Sequence, residues 1–337
     1  MEKNTVYIIA GPTAVGKSLI AFYLAKRING EIVNCDSVQL YKYMDVGSAK
    51  PPEEEMHKIR HHLYSIVEPD YNMTVATYQK LALTVIDDIL SRGKTPIVCG
   101  GTGLYLNSIL YDMSFAGSKG NARRRQELEE MAESNGAEYM HQYLAALDPE
   151  SASRIHPNNT RKIIRAIEAY EEGYGIGDLS ELTLNPKYEF RLIALNMDRE
   201  WLYDRINRRV MKLIENGLVD EVLGLLGRGY NLNTPAMKAI GYKEMLGYIN
   251  EEYDLDTAID EIRKNTRHYA KRQITWLKRY DFARWIEIGK GDTVGQIVDR
   301  ILASKKVGQQ QKFRQWKQAR KAKNSDPITR AASRTTS

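Results

Sequence analysis

Apolar positions in the first third of the chain come in short runs, at Val6–Ala10, Glu31–Cys35, Leu63–Val67 and Thr95–Cys99. Between them the spacing changes to a helical period, over Lys17–Asn29, Thr74–Ser91 and Thr102–Tyr111. Alternation of this kind predicts a parallel sheet covered by helices. From Ser114 to Lys187 the strand signal disappears. Helices are expected there at Arg123–Asn135 and Ala137–Leu147, with a third beginning at Pro157-Asn158 and running to Glu172. Phe190–Leu195 then reads as a strand returning to the sheet. Helices follow at Glu200–Asn216, Val219–Arg228, Pro235–Ile249 and Thr257–Tyr280, then a strand at Ala283–Ile288 and a helix at Thr293–Ser304. The expected organisation is a core of residues 1–113 and 189–304, interrupted by an all-helical insertion at 114–188. A polar, basic tail at 305–337 has little to bury and is expected to be disordered.

Gly11-Pro12-Thr13-Ala14-Val15-Gly16-Lys17-Ser18 is a complete G-x-x-x-x-G-K-S phosphate-binding loop, and it lies between a strand pattern and a helix pattern. Backbone N–H groups of such a loop and the following helix N-terminus attract an anion. Lys17 adds a point charge, and the Ser18 hydroxyl can hold magnesium. The loop therefore implies a bound di- or triphosphate, without saying whether it belongs to a nucleotide.

The chain has 337 residues, 42% hydrophobic and 27% charged, as expected of a soluble globular protein. No apolar run is long enough to cross a membrane. Glu2 and Lys3 lead directly into a strand, so no signal peptide is expected. The two cysteines, Cys35 and Cys99, each end a strand pattern and are not in a C-x-x-C pair. They read as buried free thiols rather than as a zinc site. The net charge of +6 is unevenly placed: from Lys305 onward ten Lys and Arg face a single acid, so the tail carries +9 and the rest of the chain −3. Nucleic-acid binding must therefore be argued from local clusters.

Asp36 lies just past a strand that neighbours the phosphate loop, where ligands sit in open α/β sheets. Its residue type and position fit a turn-forming acid, a kinase magnesium ligand or a general base, and periodicity leaves these equal. After the strand Thr95–Cys99, where a phosphate-loop enzyme usually carries an aspartate, this chain has Gly100-Gly101-Thr102-Gly103. That weakens a kinase reading and places the Thr102 hydroxyl at the mouth of the site. Arg161, Lys162 and Arg165 occupy the first turns of one helix, which alone reads as a solvated face. Arg205 and Arg209, four apart on a helix, could pair with carboxylates or reach a pyrophosphate. In Thr266–Arg279, Arg267, Lys271 and Lys278 share one helix face, with Arg272 and Arg279 on the adjacent one. Tyr269, Ile274, Trp276 and Leu277 are expected to make core contacts. A broad basic face on an acidic body suggests a polyanionic partner.

Taken together, GPTAVGKS, DSVQLY, DVGSAKP (Asp45–Pro51), GGTGLY, the stretch Asp148–Glu168, IGYKE (Ile240–Glu244) and TRHYAKRQITW occur in the order of one family. From Met1 to about Arg300 the chain resembles the bacterial tRNA dimethylallyltransferases, or tRNA isopentenyltransferases. The resemblance implies an α/β fold, a P-loop nucleoside-kinase-like parallel sheet with an all-helical insertion domain. It implies transfer of a dimethylallyl group from dimethylallyl diphosphate to the exocyclic amine of the adenosine 3′ of the anticodon in tRNA, with magnesium assisting departure of pyrophosphate. Asp36 matches the family's base. Gly11 and Thr13 to Ser18 match the grip on the diphosphate, with Lys17 stabilising the leaving group and Arg209 and Arg205 assisting. Asp36, Ser37, Val38 and Gln39 match the segment touching the target base, and Thr102 a contact to tRNA in the channel. Arg125, Arg161, Lys162 and Arg165 match tRNA contacts of the insertion, while Arg267, Lys271 and Arg272 belong to the basic helix. The implied partners are the tRNA anticodon stem-loop and dimethylallyl diphosphate, in a cytoplasmic, membrane-free, monomeric enzyme. Departures are mild: Ser18 and Ser48 stand where threonine is commoner, and the turn at Gly173–Ser180 differs from the family's usual one. An ATP-dependent nucleoside or small-molecule kinase on the same fold is the alternative.

Overall fold

The computed structural model describes residues 4–113, 122–171 and 182–303. The expected tail at 305–337 and the turn at 173–180 lie outside the described residues. The described residues divide into two compact units: one runs up to Leu110 and resumes at Asn185, and the other is Tyr111–Leu184.

The first unit begins β1 (Thr5–Ala10), α1 (Lys17–Arg27), β2 (Gly30–Cys35), α2 (Glu53–Lys58), β3 (His61–His62), α3 (Val75–Ser91), β4 (Thr95–Gly100) and α4 (Gly103–Leu110). The second unit holds α5 (Ala122–Leu147), α6 (Pro149–Arg154) and α7 (Thr160–Glu171). The first then continues with β5 (Glu189–Met197), α8 (Arg199–Glu215), α9 (Leu218–Gly227), α10 (Tyr242–Ile249), α11 (Leu255–Leu277), β6 (Arg284–Ile288) and α12 (Val294–Leu302). All six strands run parallel in the order β3-β2-β4-β1-β5-β6. Both faces of the inner strands are covered, so β1 and β2 are buried at every position; β1 reads as an apolar run, while β2 also buries the polar Glu31 and Asn34.

The register sets up the site. Ala10 pairs with both Gly100 and Ala194, and Cys35 pairs with Gly100. The carboxyl ends of β1, β2 and β4 therefore finish level, and the segments after them emerge side by side. Apolar side chains of β1, α1, β5, α8 and α12, among them Ile9, Leu24, Leu195, Ile206 and Ile301, fill the layer beneath. Far from these ends, Glu31 sits on β2 with its side chain only 2% exposed. Both its oxygens accept from Arg92, at 2.7 Å each, while Lys94 and His62 approach at 2.8 and 2.7 Å.

Two expectations give way. The strand expected at Leu63–Val67 is reduced to His61–His62, because Leu63 and Ser65 take left-handed backbone conformations, with φ of 64° and 51°. The segment instead hooks back on the residues after β2: Ser65 N–H donates to the Gln39 carbonyl and Ile66 N–H to that of Leu40. The single helix expected at Pro235–Ile249 is a 3-10 turn, Pro235–Lys238, followed by α10. Gly241, at φ 99°, breaks it, and the buried Glu244 carboxylate accepts the Gly241 N–H at 2.7 Å to start the new helix. The short α2 and α6 were not foreseen. In the second unit α5 is broken at Gly136 (φ 83°), the point separating the two expected helices. Leu128, Met140, Leu144, Ile163 and Ile167 form that unit's own core.

Candidate active site at the carboxyl ends of the strands

The phosphate loop is held in its curl by Ala14 and Gly16, with φ of 65° and 103°. No side chain caps the start of α1, which leaves its first N–H groups for an anion. The loop is braced from outside at two points. Arg205 Nε donates to the Ala14 carbonyl at 2.9 Å, and the Thr13 N–H donates to Gln273 Oε1 at 2.8 Å. Lys17 folds back so that Nζ donates to the Pro12 carbonyl at 2.9 Å. Burial pushes its ammonium down to about 8; Asp36 opposes this shift and Arg209 adds to it. Burial also lowers the Arg209 guanidinium, again opposed by Asp36. Beside the loop opens a cavity of about 490 Å³ whose walls carry Lys17, Lys50, Arg205, Arg208, Arg209 and Lys212 against one acid, Glu55. Such an excess of cations suits a small polyanion.

The neighbouring segments are equally constrained. Asn34 pins the backbone of Asp36, accepting its N–H at 2.9 Å and donating to its carbonyl at 3.1 Å. One Asp36 oxygen accepts the Val38 N–H at 2.9 Å, so the turn-forming role is real but occupies only that oxygen. Thr102 Oγ1 accepts the Ser37 N–H at 3.1 Å, and the Thr102 N–H donates to the Cys35 carbonyl at 3.2 Å. Tyr269, expected as a core contact, instead lies beside Thr102 and Asp36, and burial raises its phenol. Burial likewise pushes the Cys35 and Cys99 thiols up, to about 12 and about 11, so both stay protonated and unreactive.

The glycines at the end of β4 and just past it have no room for anything larger. A Cβ on Gly100 would lie 2.1 Å from the Cys35 carbonyl oxygen, and one on Gly101 would lie 2.1 Å from Gln273 Nε2. On Gly103 it would enter the Trp276 ring at 2.5 Å. Gln273, 5% exposed, fills the space over Gly101 and donates to its carbonyl at 3.2 Å. One amide thus ties the phosphate loop to the segment bearing Thr102. It was not among the expected site residues. Its signal was a polar residue within the apolar stripe Ala270, Gln273, Leu277. Lys50, also unforeseen, buries its stem and donates to the Tyr41 carbonyl, Ser65 Oγ and Asp45 Oδ1 at 2.6–2.7 Å.

The structure thus gathers Gly11, Thr13 to Ser18, Asp36 to Gln39, Thr102, Arg205 and Arg209 around one edge of the sheet. On α11, Arg267 is engaged with Asn207 at 2.8 Å, while Lys271 and Arg272 are exposed. Arg125, Arg161, Lys162 and Arg165 belong to the second unit. The last three are exposed on α7, and Arg125 pairs with Glu168 at 3.1 Å. Among the described residues no three His, Cys, Asp or Glu side chains converge as a metal site.

The model of the family described as IPP transferase matches residues 39–280. The chain belongs to the IPP transferase family. A tRNA dimethylallyltransferase of Alkaliphilus oremlandii (strain OhILAs) is 49% identical over 302 residues, covering 89% of this chain and 96% of that relative. One from Thermoanaerobacter sp. (strain X514) is 51% identical over 285 residues, or 83% and 90% of the two chains. Among solved structures, the full-length tRNA isopentenylpyrophosphate transferase of Bacillus halodurans superposes with a TM-score of 0.66 at 37% identity, covering 94% of this chain and all of that one. A eukaryotic dimethylallyltransferase acting on tRNA gives 0.72 at 28% identity, over 85% and 74% of the chains. The stretch matched to the IPP transferase family begins at Gln39, beyond the phosphate loop. The loop is thus an observation independent of that match.

Proposed function

We propose that this chain is a tRNA dimethylallyltransferase that moves a dimethylallyl group from dimethylallyl diphosphate to the exocyclic amine of the adenosine 3′ of the anticodon. The observation that carries the reading is the junction of two surfaces: a cation-lined cavity at a phosphate loop, and beside it Asp36 and Thr102 where glycines exclude a kinase's aspartate.

In this reading the loop amides, Lys17 and Arg209 grip the diphosphate, with Arg205 supporting the loop at Ala14. The amine nitrogen forms its bond to the first allylic carbon as that carbon's bond to oxygen breaks, and the electron pair leaves on the diphosphate. Asp36 takes the amine proton on the oxygen that Val38 leaves free. Negative charge grows on the departing group, so fixed donors already aimed there stabilise the transition state more than the ground state. An adenine amine is a weak nucleophile, so holding it against the allylic carbon supplies much of the rate. The base cannot react while stacked and must be extruded, which costs a few kcal/mol, roughly. In this reading Lys271 and Arg272 on α11 neutralise RNA phosphates, and in the second unit Arg161, Lys162 and Arg165 of α7 do the same, as does Arg125 once released from Glu168.

The Ser18 hydroxyl at the start of α1 suits magnesium: it is a hard oxygen ligand, and among the described residues no cluster of His, Cys, Asp or Glu competes with the diphosphate for the ion. Bound there, the ion would neutralise charge on the leaving diphosphate. The deciding experiment incubates the protein with magnesium, unmodified tRNA and either dimethylallyl diphosphate or ATP, then weighs the digested nucleosides. An isopentenyl-mass adduct on adenosine, formed only with the allylic donor and lost in Asp36→Ala, is expected. ATP consumption on a small nucleoside without an adduct would refute the reading.

A further inference from the structure

Glu221, on α9 and outside the cavity, holds four hydrogen-bond donors with one carboxylate. Oε2 accepts the N–H groups of Asp45 and Val46 at 2.7 Å each. Oε1 accepts the Gly47 N–H at 2.9 Å and the Tyr242 hydroxyl at 2.7 Å. Three consecutive backbone amides converging on one anion fix the loop that follows Met44. Gly47 lies so close to Tyr242 that a Cβ would come within 2.5 Å of its ring. The next two residues present their carbonyls inward, and both accept from Gln39 Nε2, Ser48 at 3.1 Å and Ala49 at 3.2 Å.

Those two bonds decide which way round the Gln39 amide sits. A carbonyl only accepts, so the nitrogen must face the loop and both its hydrogens are used. Among the described residues Gln39 Oε1 has no hydrogen-bond partner, yet it is not among the buried unpaired atoms. The one group Gln39 can offer a ligand is therefore an acceptor.

We propose that Glu221 is a positioning residue: by clamping the 45–49 loop it fixes the polarity of the Gln39 amide, so that the acceptor pocket selects a base edge that donates. The inference rests on the reading of Asp36–Gln39 as the segment facing the target base. Adenine presents an amine donor at that edge, guanine an acceptor oxygen, and purine riboside neither. A free amide could turn over to suit guanine; a clamped one cannot. The selectivity is thus set from a carboxylate on α9, through the backbone of residues 45–49, rather than by Gln39 alone.

The test measures binding of three anticodon stem-loop RNAs, with adenosine, purine riboside or guanosine at the target position, without donor so that no reaction intervenes. The full chain should prefer adenosine to guanosine by about tenfold, the worth of one well-made hydrogen bond. In Glu221→Gln, near in shape but short of an acceptor for the three amides, that preference should shrink to about twofold while phosphate-dominated binding of all three RNAs persists. In Gln39→Leu, which removes the amide without touching the clamp, the preference should likewise disappear. Wild-type discrimination retained in either variant, each unfolding cooperatively, overturns the proposal. Failure of the wild-type chain to bind any of the RNAs would instead overturn the functional reading beneath it.

Discussion

Lys17 connects the geometry of the cavity to a proton that can be counted. Its ammonium is held down to about 8 by burial, with Arg209 adding to the shift, and its ordinary value is 10.5. A diphosphate placed against it supplies the missing counter-charge and should return it towards that value. At pH 8 about half of the free protein then carries neutral Lys17, so binding should draw in about half a proton per site. The sign follows from the direction: the group is more basic in the complex, so protons are taken up and affinity falls as pH rises through the free value. If only the ammonium binds, the competent fraction drops from about 0.9 at pH 7 to about 0.1 at pH 9, a loss of roughly tenfold in affinity. The donor's own last proton leaves near pH 6, roughly, and contributes little above pH 7.5. Calorimetry of dimethylallyl diphosphate binding at pH 8, in two buffers of different ionisation enthalpy, reads the proton number directly. Lys17→Arg keeps its charge at every pH in the range and should abolish the uptake. Zero uptake in the wild-type chain, or unchanged uptake in Lys17→Arg, would refute the reasoning.

Gln273→Leu keeps the volume over Gly101 but leaves the Thr13 N–H and Gly101 carbonyl unpaired, and should cost about 2–4 kcal/mol by urea unfolding; a loss below about 0.5 kcal/mol would show that neither bond matters. The Lys271→Ala, Arg272→Ala double variant should weaken all RNAs alike and flatten the slope of log affinity against log salt by about 1.5; an unchanged slope would take these residues off the RNA path. Glu31→Gln leaves Arg92 and Lys94 around a neutral amide and should destabilise by about 2–3 kcal/mol at pH 7, discounted for the part-exposure of both cations. Those partners hold the Glu31 carboxyl well below the usual range, so its contribution is whole above the ordinary value of 4.5 and is lost as pH falls. The gap between wild type and variant should therefore narrow on acidification; a gap that widened in acid would contradict the assignment.

The central strands were legible because burial on both faces favours apolar runs, which β1, β4 and β5 have and β2 keeps at Ile32-Val33 between the buried Glu31 and Asn34. Leu63–Val67 has a similar apolar composition, but with left-handed residues at 63 and 65 the segment turns to donate from Ser65 and Ile66 to the Gln39 and Leu40 carbonyls, which no local pattern encodes. Gly241 could have been suspected as a break, since glycine is costly inside a helix; the surrounding apolar spacing hid it. Around the site, Lys17, Asp36 and Thr102 were readable because each follows a strand that ends at the same edge. Gln273 left a faint mark as a polar residue in an apolar stripe. Glu221 left none: its loop partners lie 174–176 residues away, and an exposed-looking acid on a helix is what the sequence offers.

The closed space above Gly100 and Gly101 also constrains how this chain could change over evolutionary time. Reinstating an aspartate after β4 would not merely add a ligand; the new Cβ would strike backbone at one position and the Gln273 amide at the other. The Gly100 route requires β2 and β4 to move apart, and the Gly101 route requires Gln273 to shrink first, which would unbrace the phosphate loop at Thr13. Either path passes through an intermediate that has lost the present arrangement before it has gained another. Two chemistries that share one scaffold are in this chain separated by a valley, and drift by single substitutions should leave it on its own side.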